Sequence, residues 1–217
     1  MHSILIVDDH PIVRQGLRQL IDGHPDFRVC AEAGDWGSAI SATAQYQPSV
    51  IVLDISLERR MALDLTRELI AVSEESKVLV LSMHDEMIYA ERAIKTGAHG
   101  YVMKANATER VLDAIQTVLN GEIYLSNRLK DLMLKRTILP KTTNKNLEIP
   151  ELSNREVEVL KMIAEGLSSQ EISERMCLSA KTIEVHRGNI RAKLKLERGD
   201  RLLEFAIRYT RKFQQDF

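Results

Sequence analysis

The sequence predicts a doubly wound α/β domain with five parallel strands, followed by a small all-α domain carrying a helix-turn-helix. Three observations lead there. Apolar runs of strand length alternate five times with helical patterns across the first half. That alternation stops near residue 125. From residue 151 the pattern is helical throughout, and its helices open on Ser-x-x-Glu spacings. The boundaries therefore read 1–125 for the first domain, 126–150 for a linker and 151–217 for the second. A chain of 217 residues accommodates two modest domains, and 44% hydrophobic residues let each bury a core.

The strand-like runs are Ile4–Val7, Phe27–Ala31, Val50–Leu53, Val78–Leu81 and Tyr101–Met103. Their nearly continuous apolar character fits strands covered on both faces. Helical patterns lie between them at Ile12–Ile21, Ser38–Tyr46, Leu63–Val72, Met87–Thr96 and Thr108–Leu119. Asn106 and Glu109 have capping-box spacing at the last of these. Pro11 suits a first helical turn, and Asp9 is a candidate N-cap before it.

The polar residues fall at one place in this pattern. Asp8 and Asp9 follow the first strand, Asp54 ends the third, Ser82 the fourth and Lys104 the fifth. In an open parallel sheet all carboxyl ends lie along one edge, where ligands bind. Three crowded carboxylates repel one another unless a hard cation joins them, and Mg²⁺ suits such oxygen donors. A lysine and a small hydroxyl beside them are what an incoming phosphoryl group needs. The chemistry implied is attack by a carboxylate on phosphorus, giving an acyl phosphate. Capping by Asp9 and metal binding by Asp9 are compatible.

Charge is uneven along the chain. Residues 1–125 carry 11 Lys+Arg against 18 Asp+Glu, residues 126–150 carry 6 against 2, and residues 151–217 carry 13 against 11. Ser179–Lys195 alone holds five basic residues and one acidic. An acidic front and a locally basic back point to nucleic acid as a partner of the second domain only. Cys30 and Cys177 have no metal-ligand spacing and read as buried thiols. Met1-His2-Ser3 runs straight into Ile4–Val7, which Asp8 and Asp9 cut off, and the run Val50–Leu57 is too short to span a bilayer. The expectation is a cytoplasmic protein without membrane contact. Within the linker, Leu129–Leu134 has the pattern of a short basic helix. Lys141 and Lys145 read as a solvated run, with DNA phosphate contact as the other reading.

In the second domain, Ser153–Glu156 and Ser168–Glu171 are capping boxes, Gly166 stops the first helix, and Ser179 caps a third helix that runs to Lys193. A last helical pattern covers about 201–211. Two short helices joined by a tight turn, the second of them basic, form a helix-turn-helix. Helical phase puts Ile183, His186, Ile190 and Leu194 on an inward stripe, where packing explains His186 better than catalysis. Lys181, Glu184, Val185, Gly188, Arg191 and Lys195 lie outward, flanked by Arg187 and Asn189, with Thr182 joining the set at the helix start. Val185 suits a thymine methyl, Glu184 a cytosine, and Lys181 a guanine edge or a phosphate. Gly188 admits close backbone approach. Arg187, Arg191, Lys193 and Lys195 suit phosphates, as do Ser168, Ser169 and Gln170 at a helix start. A merely solvated charged face is the other reading of this stripe.

Residues 3–120 resemble a response-regulator receiver domain. The resemblance runs through Ile4–Pro11, Ile51–Asp54, Leu81–His84 and Gly97–Lys104. It implies a flavodoxin-like fold and phosphorylation of Asp54 by a sensor histidine kinase. It also implies Mg²⁺ bound by Asp8, Asp9, Asp54 and the backbone carbonyl of Ser56, with Ser82 and Tyr101 as switch residues and Lys104 as the phosphate-binding lysine. Residues 151–197 resemble the LuxR-type helix-turn-helix through Leu152–Leu160, Ile163–Ser168, Glu171-Ile172, Leu178-Ser179, Lys181–Ile183, Val185-His186, Ile190 and Lys193-Leu194. Together they place nearly the whole chain in the NarL/FixJ-like class of transcription regulators. Promoter DNA is then the expected partner, bound as a homodimer through the last helix, 201–208, with RNA polymerase a candidate further partner.

Two departures stand out. Glu58 and Ala62 occupy places where the family has Pro and Gly, and Ala105 follows Lys104 where many receivers have Pro. These imply an altered loop rather than a dead site. The altered Leu57–Ala62 loop also motivates an alternative, a DNA-binding regulator whose receiver acts independently of phosphate. A third reading, an aspartyl-nucleophile phosphatase, needs an acid/base Asp where Ser56 stands. The expectation is that the protein is not an enzyme beyond its own phosphorylation and dephosphorylation.

Overall fold

The computed structural model describes residues 1–57, 63–84, 86–138, 152–176, 178–196 and 201–214. Glu58, Ala62, Lys141, Lys145 and Cys177 lie outside these, so the readings placed on them stay with the sequence. The chain forms two compact units, Met1–Pro140 and Lys141–Phe217.

In the first unit β1 (His2–Val7), α1 (Pro11–Asp22), β2 (Phe27–Ala33), α2 (Trp36–Tyr46), β3 (Val50–Asp54), α3 (Leu63–Val72), β4 (Lys77–Ser82), α4 (Glu86–Lys95), β5 (Gly100–Met103) and α5 (Ala107–Leu119) alternate along the chain. The strands form one parallel sheet in the order β2-β1-β3-β4-β5. The doubly wound expectation holds. Successive side chains leave a strand on opposite faces, and both faces are buried here. Ile4, Ile6, Val50 and Val52 pack with Leu17 and Ile21 of α1 and Val111 and Ile115 of α5. Leu5, Val7, Ile51 and Leu53 pack with Ala39 of α2 and Leu65 and Leu69 of α3. Two-sided burial is why these strands read as unbroken apolar runs. Cys30, at the edge of the second layer, is a free, half-buried thiol, and burial raises its pKa.

Two expected caps differ. The residue preceding α1 is His10, in extended conformation and without a side-chain cap bond, and Pro11 fills the first turn. Asp9 is not the cap, and its side chain instead faces the His10 ring. Asn106 makes no cap bond either: it closes a short 3-10 turn, Lys104–Asn106, with φ −107° and ψ 6°, away from the extended backbone that a cap needs. Conversely, α2 opens on an Asp35–Ser38 capping box that spacing had not flagged.

Beyond α5 the chain returns to the sheet edge. Tyr124 pairs with β5 through Gly100, and helix α6 (Asn127–Ile138) follows within the first unit, longer than the stretch expected from its basic pattern.

The second unit holds α7 (Asn154–Ala164), α8 (Ser169–Met176), α9 (Ala180–Lys193) and α10 (Arg201–Gln214). Ser153 and Glu156 form the expected capping box, and Ser179 caps α9 by accepting the Thr182 N–H at 3.0 Å. Ser168 and Glu171 exchange the expected pair of cap bonds at the start of α8. Val157, Leu160, Ile163, Ile172, Ile183, Ile190, Leu202 and Ala206 make the core. Among the described residues no helix is long and apolar enough to cross a membrane.

Gly100 is a packing requirement. A Cβ there would lie 2.7 Å from Leu79 Cδ1, 3.0 Å from Tyr124 Cβ and 3.2 Å from the Tyr124 carbonyl. Gly100→Ala should therefore destabilise the first unit by about 1–3 kcal/mol, the usual cost of overpacking. Urea unfolding followed by circular dichroism checks this; an unchanged midpoint would contradict it.

Candidate functional site

Strand register assembles the site. Val7 pairs with Leu53, so Asp8 and Asp54 emerge side by side. Asp54 pairs with Leu81 and Ser82 with Met103, which brings Ser82 and then Lys104 to the same edge. Asp8 and Asp54 are almost wholly buried, 1% and 2% exposed. Lys104 Nζ bridges them, donating to Asp8 Oδ2 at 2.6 Å and Asp54 Oδ2 at 2.7 Å. The remaining oxygen of Asp54 accepts the Ser56 N–H at 2.9 Å, and that of Asp8 accepts the His10 N–H at 2.8 Å. Burial raises the pKa of Asp54, against the opposing effect of the Lys104 and Ser56 hydrogen bonds. For Lys104 burial lowers the pKa, but its bonds to Asp54 and Asp8 outweigh that and the net shift is upward.

Asp9 lies at the rim, with His10 Nδ1 2.6 Å from its Oδ1 and 3.2 Å from Asp8 Oδ1. One donor atom from each of Asp8, Asp9, His10 and Asp54 falls within 4.8 Å of all the others. Three carboxylates so close offer the hard oxygen donors that Mg²⁺ takes, so the donor set fits that ion. His10 was not among the expected site residues. Its place directly after an acidic pair was the signal available.

The switch candidates meet at a residue the sequence did not single out. His84 donates its N–H to Ser82 Oγ at 2.9 Å, accepts the Tyr101 hydroxyl on its carbonyl at 2.9 Å, and hydrogen bonds to Ser56 Oγ through Nε2 at 3.0 Å. Tyr101 is buried and points inward, 1% exposed.

In the second unit the faces of α9 fall as phase predicts. Ile183 and Ile190 are buried, while His186 and Leu194 are half-buried. Lys181, Glu184, Val185, Gly188, Asn189 and Lys195 are exposed, Val185 to 55%. Thr182, Arg187 and Arg191 are half-buried. At the start of α8 the hydroxyls and amide are bound to carboxylates: Ser168 Oγ to Glu171 at 2.7 Å, Ser169 Oγ to Glu184, and Gln170 Nε2 to Glu174 at 3.1 Å.

The raised pKa of Asp54 carries a stability consequence. The folded chain protonates Asp54 at higher pH than the unfolded chain, so the ionised carboxylate weakens the fold at neutral pH, and the penalty fades as pH falls through the raised value. Asp54→Asn should melt above wild type at pH 7 and lose that advantage in acid. Lys104→Met should cost about 3–5 kcal/mol at pH 7, because it leaves two buried carboxylates without their cation. Thermal melts across pH test both; a Lys104→Met protein as stable as wild type would contradict the electrostatic account.

The comparisons agree with this geometry. Residues 4–116 match the family described as response regulator receiver domain, and residues 150–204 match the bacterial regulatory proteins of the luxR family. The chain is 33% identical over 212 residues to the oxygen regulatory protein NreC of Staphylococcus haemolyticus, covering 95% of this chain and 97% of that one. It is 32% identical over 192 residues to a nitrate/nitrite response regulator protein homolog of Haemophilus influenzae, covering 88% and 89%. Among solved structures, a LuxR-family two-component response regulator from an Aurantimonas species is similar at a TM-score of 0.58 and 31% identity, over 64% of this chain and 99% of that one. A carboxylate pocket at the sheet edge and a basic helix-turn-helix, in that order along one chain, thus have a single explanation: the protein belongs to the two-component response regulators that join a receiver domain to a LuxR-type DNA-binding domain.

Proposed function

We propose that phosphorylation of Asp54 by a sensor histidine kinase switches binding of the second unit to promoter DNA. The carrying observation is the Lys104 ammonium seated between Asp8 and Asp54 at 2.6 and 2.7 Å, with the Ser82 hydroxyl at the end of the adjacent strand. An Asp54 oxygen attacks phosphorus, forming the O–P bond as the bond to the kinase histidine nitrogen breaks. Lys104 then shifts from the carboxylates onto a phosphoryl oxygen. Mg²⁺ held by Asp8, Asp9, Asp54 and the Ser56 carbonyl would neutralise the remaining phosphoryl charge. Ser82 exchanges its acceptor role toward His84 for donation to the phosphoryl group. Tyr101 already lies inward, so the change is in how firmly that position is populated. The only chemistry assigned to the receiver is its own phosphorylation and dephosphorylation.

On the DNA side, residues 151–217 act as the binding domain, 1–125 as the receiver, and the rest as the connection between them. Helix α9 enters the major groove: Lys181, Thr182, Glu184, Val185, Gly188 and Asn189 face bases, while Arg187, Arg191 and Lys195 face phosphates. Ser168, Ser169 and Gln170 reach a phosphate only by leaving their carboxylate partners. Helix α10 pairs two DNA-bound copies, in the cytoplasm, with RNA polymerase as a further partner.

Wild type and Asp54→Ala, incubated with acetyl phosphate and Mg²⁺, provide the test by intact mass and gel shift. Wild type alone should gain one phosphoryl group and then bind promoter DNA more tightly. Equal DNA binding by both proteins, with no phosphoryl gain, would establish the phosphate-independent alternative instead. Arg191→Ala should weaken binding across all sequences and lower the salt slope by about one. Titrations at several salt concentrations measure this, and a loss confined to one sequence would reassign Arg191 to base reading.

A further inference from the structure

The end of the first unit is tied to the switch residues. Tyr124 donates its N–H to the His99 carbonyl at 3.0 Å and accepts the Tyr101 N–H at 2.9 Å. Tyr101 is therefore held from both ends, by Tyr124 through its backbone and by the His84 carbonyl through its hydroxyl. Two residues after Tyr124, the Ser126 hydroxyl donates to Glu86 Oε1 at 2.6 Å. Ser126 Oγ also accepts the Leu129 N–H at 3.2 Å, and the Ser126 carbonyl accepts the Lys130 N–H at 3.0 Å. Ser126 thus opens α6 and fastens it to the first residue of α4. Leu125 and Leu129, 8% and 2% exposed, bury the base of the helix.

We propose that the Glu86–Ser126 bond is a clasp that holds α6 docked in the resting protein and opens when the receiver is phosphorylated. This rests on the reading of Asp54 as phosphoacceptor. When Ser82 turns toward the phosphoryl group, the His84 N–H loses its acceptor and the stretch leading into α4 must repack. Glu86 begins α4 only two residues beyond His84, so its carboxylate moves with that stretch. The bond to Ser126 is short, single and half-exposed, and it does not survive such a shift as a buried network would. The helix it releases is the last described element before the second unit, so its release widens the range of positions open to the DNA-binding domain.

Hydrogen exchange over α6 in the full chain, with intact mass to follow phosphoryl uptake, tests the clasp. Loss of one charge-assisted bond predicts exchange over 127–138 faster by about tenfold on phosphorylation of wild type. Glu86→Ala should exchange at the fast rate without any phosphodonor, gain little on phosphorylation, and still take up one phosphoryl group. Glu86→Gln retains an acceptor and should fall between. Ser126→Asp keeps a good helix cap while setting a second carboxylate against Glu86, and should match Glu86→Ala, which separates clasp from cap. The clasp is overturned if α6 exchanges alike in resting and fully phosphorylated wild type, or if Glu86→Ala and Ser126→Asp exchange like resting wild type. Absence of phosphoryl uptake by wild type would overturn the Asp54 reading instead, and the resting Glu86→Ala protein would still decide the clasp.

Discussion

One ammonium group makes the carboxyl edge of the sheet possible. Asp8 and Asp54 come from adjacent strands and are almost out of water. Two carboxylates so placed repel strongly and pay heavily for lost hydration unless a counter-charge joins them. Lys104 supplies it from β5, although β4 lies between that strand and β3. Strands sit nearly 5 Å apart, so the lysine must cross the end of β4 to reach Asp54. The small Ser82 at that end leaves the path open. A phosphoryl group arriving on Asp54, as proposed above, would meet a cation already committed to the carboxylates, and would reorganise an existing charge pair rather than open solvent.

The sheet and its polar edge were legible because both follow from local pattern. Unbroken apolar strands announce two-sided burial, and Asp54 and Ser82 end their strands while Asp8 and Lys104 directly follow theirs, where parallel pairing makes them neighbours. The inward and outward faces of α9 were legible for the same reason, since Ile183 and Ile190 keep helical phase. His84 was not legible. Two of the three bonds described above use backbone atoms, which any residue would offer, and the partners come from the turn after β3, from β4 and from β5. The caps failed locally: α1 starts one residue later than a cap at Asp9 requires, with Pro11 offering no N–H, and the Lys104–Asn106 turn holds Asn106 away from extended backbone. The docking of α6 was hidden because Ser126 and Glu86 stand 40 residues apart with nothing in either neighbourhood to pair them.

Glu156 in the second unit has two tasks. Its carboxylate caps its own helix through the Ser153 N–H at 2.6 Å and accepts Lys193 Nζ at 2.7 Å from the far end of α9. It is 3% exposed, so both bonds are shielded. Helix α9 is therefore pinned at its end by a residue outside its own outward stripe and along its length by Ile183 and Ile190. The outward positions Lys181, Val185 and Asn189 carry none of that attachment, whereas Glu184 is also bound by the Ser169 hydroxyl of α8. Under the DNA-reading role proposed above, the helix would be a peg whose seat and whose key are cut from largely different residues, so that exchanging Lys181, Val185 or Asn189 would alter the key without rebuilding the lock that holds it.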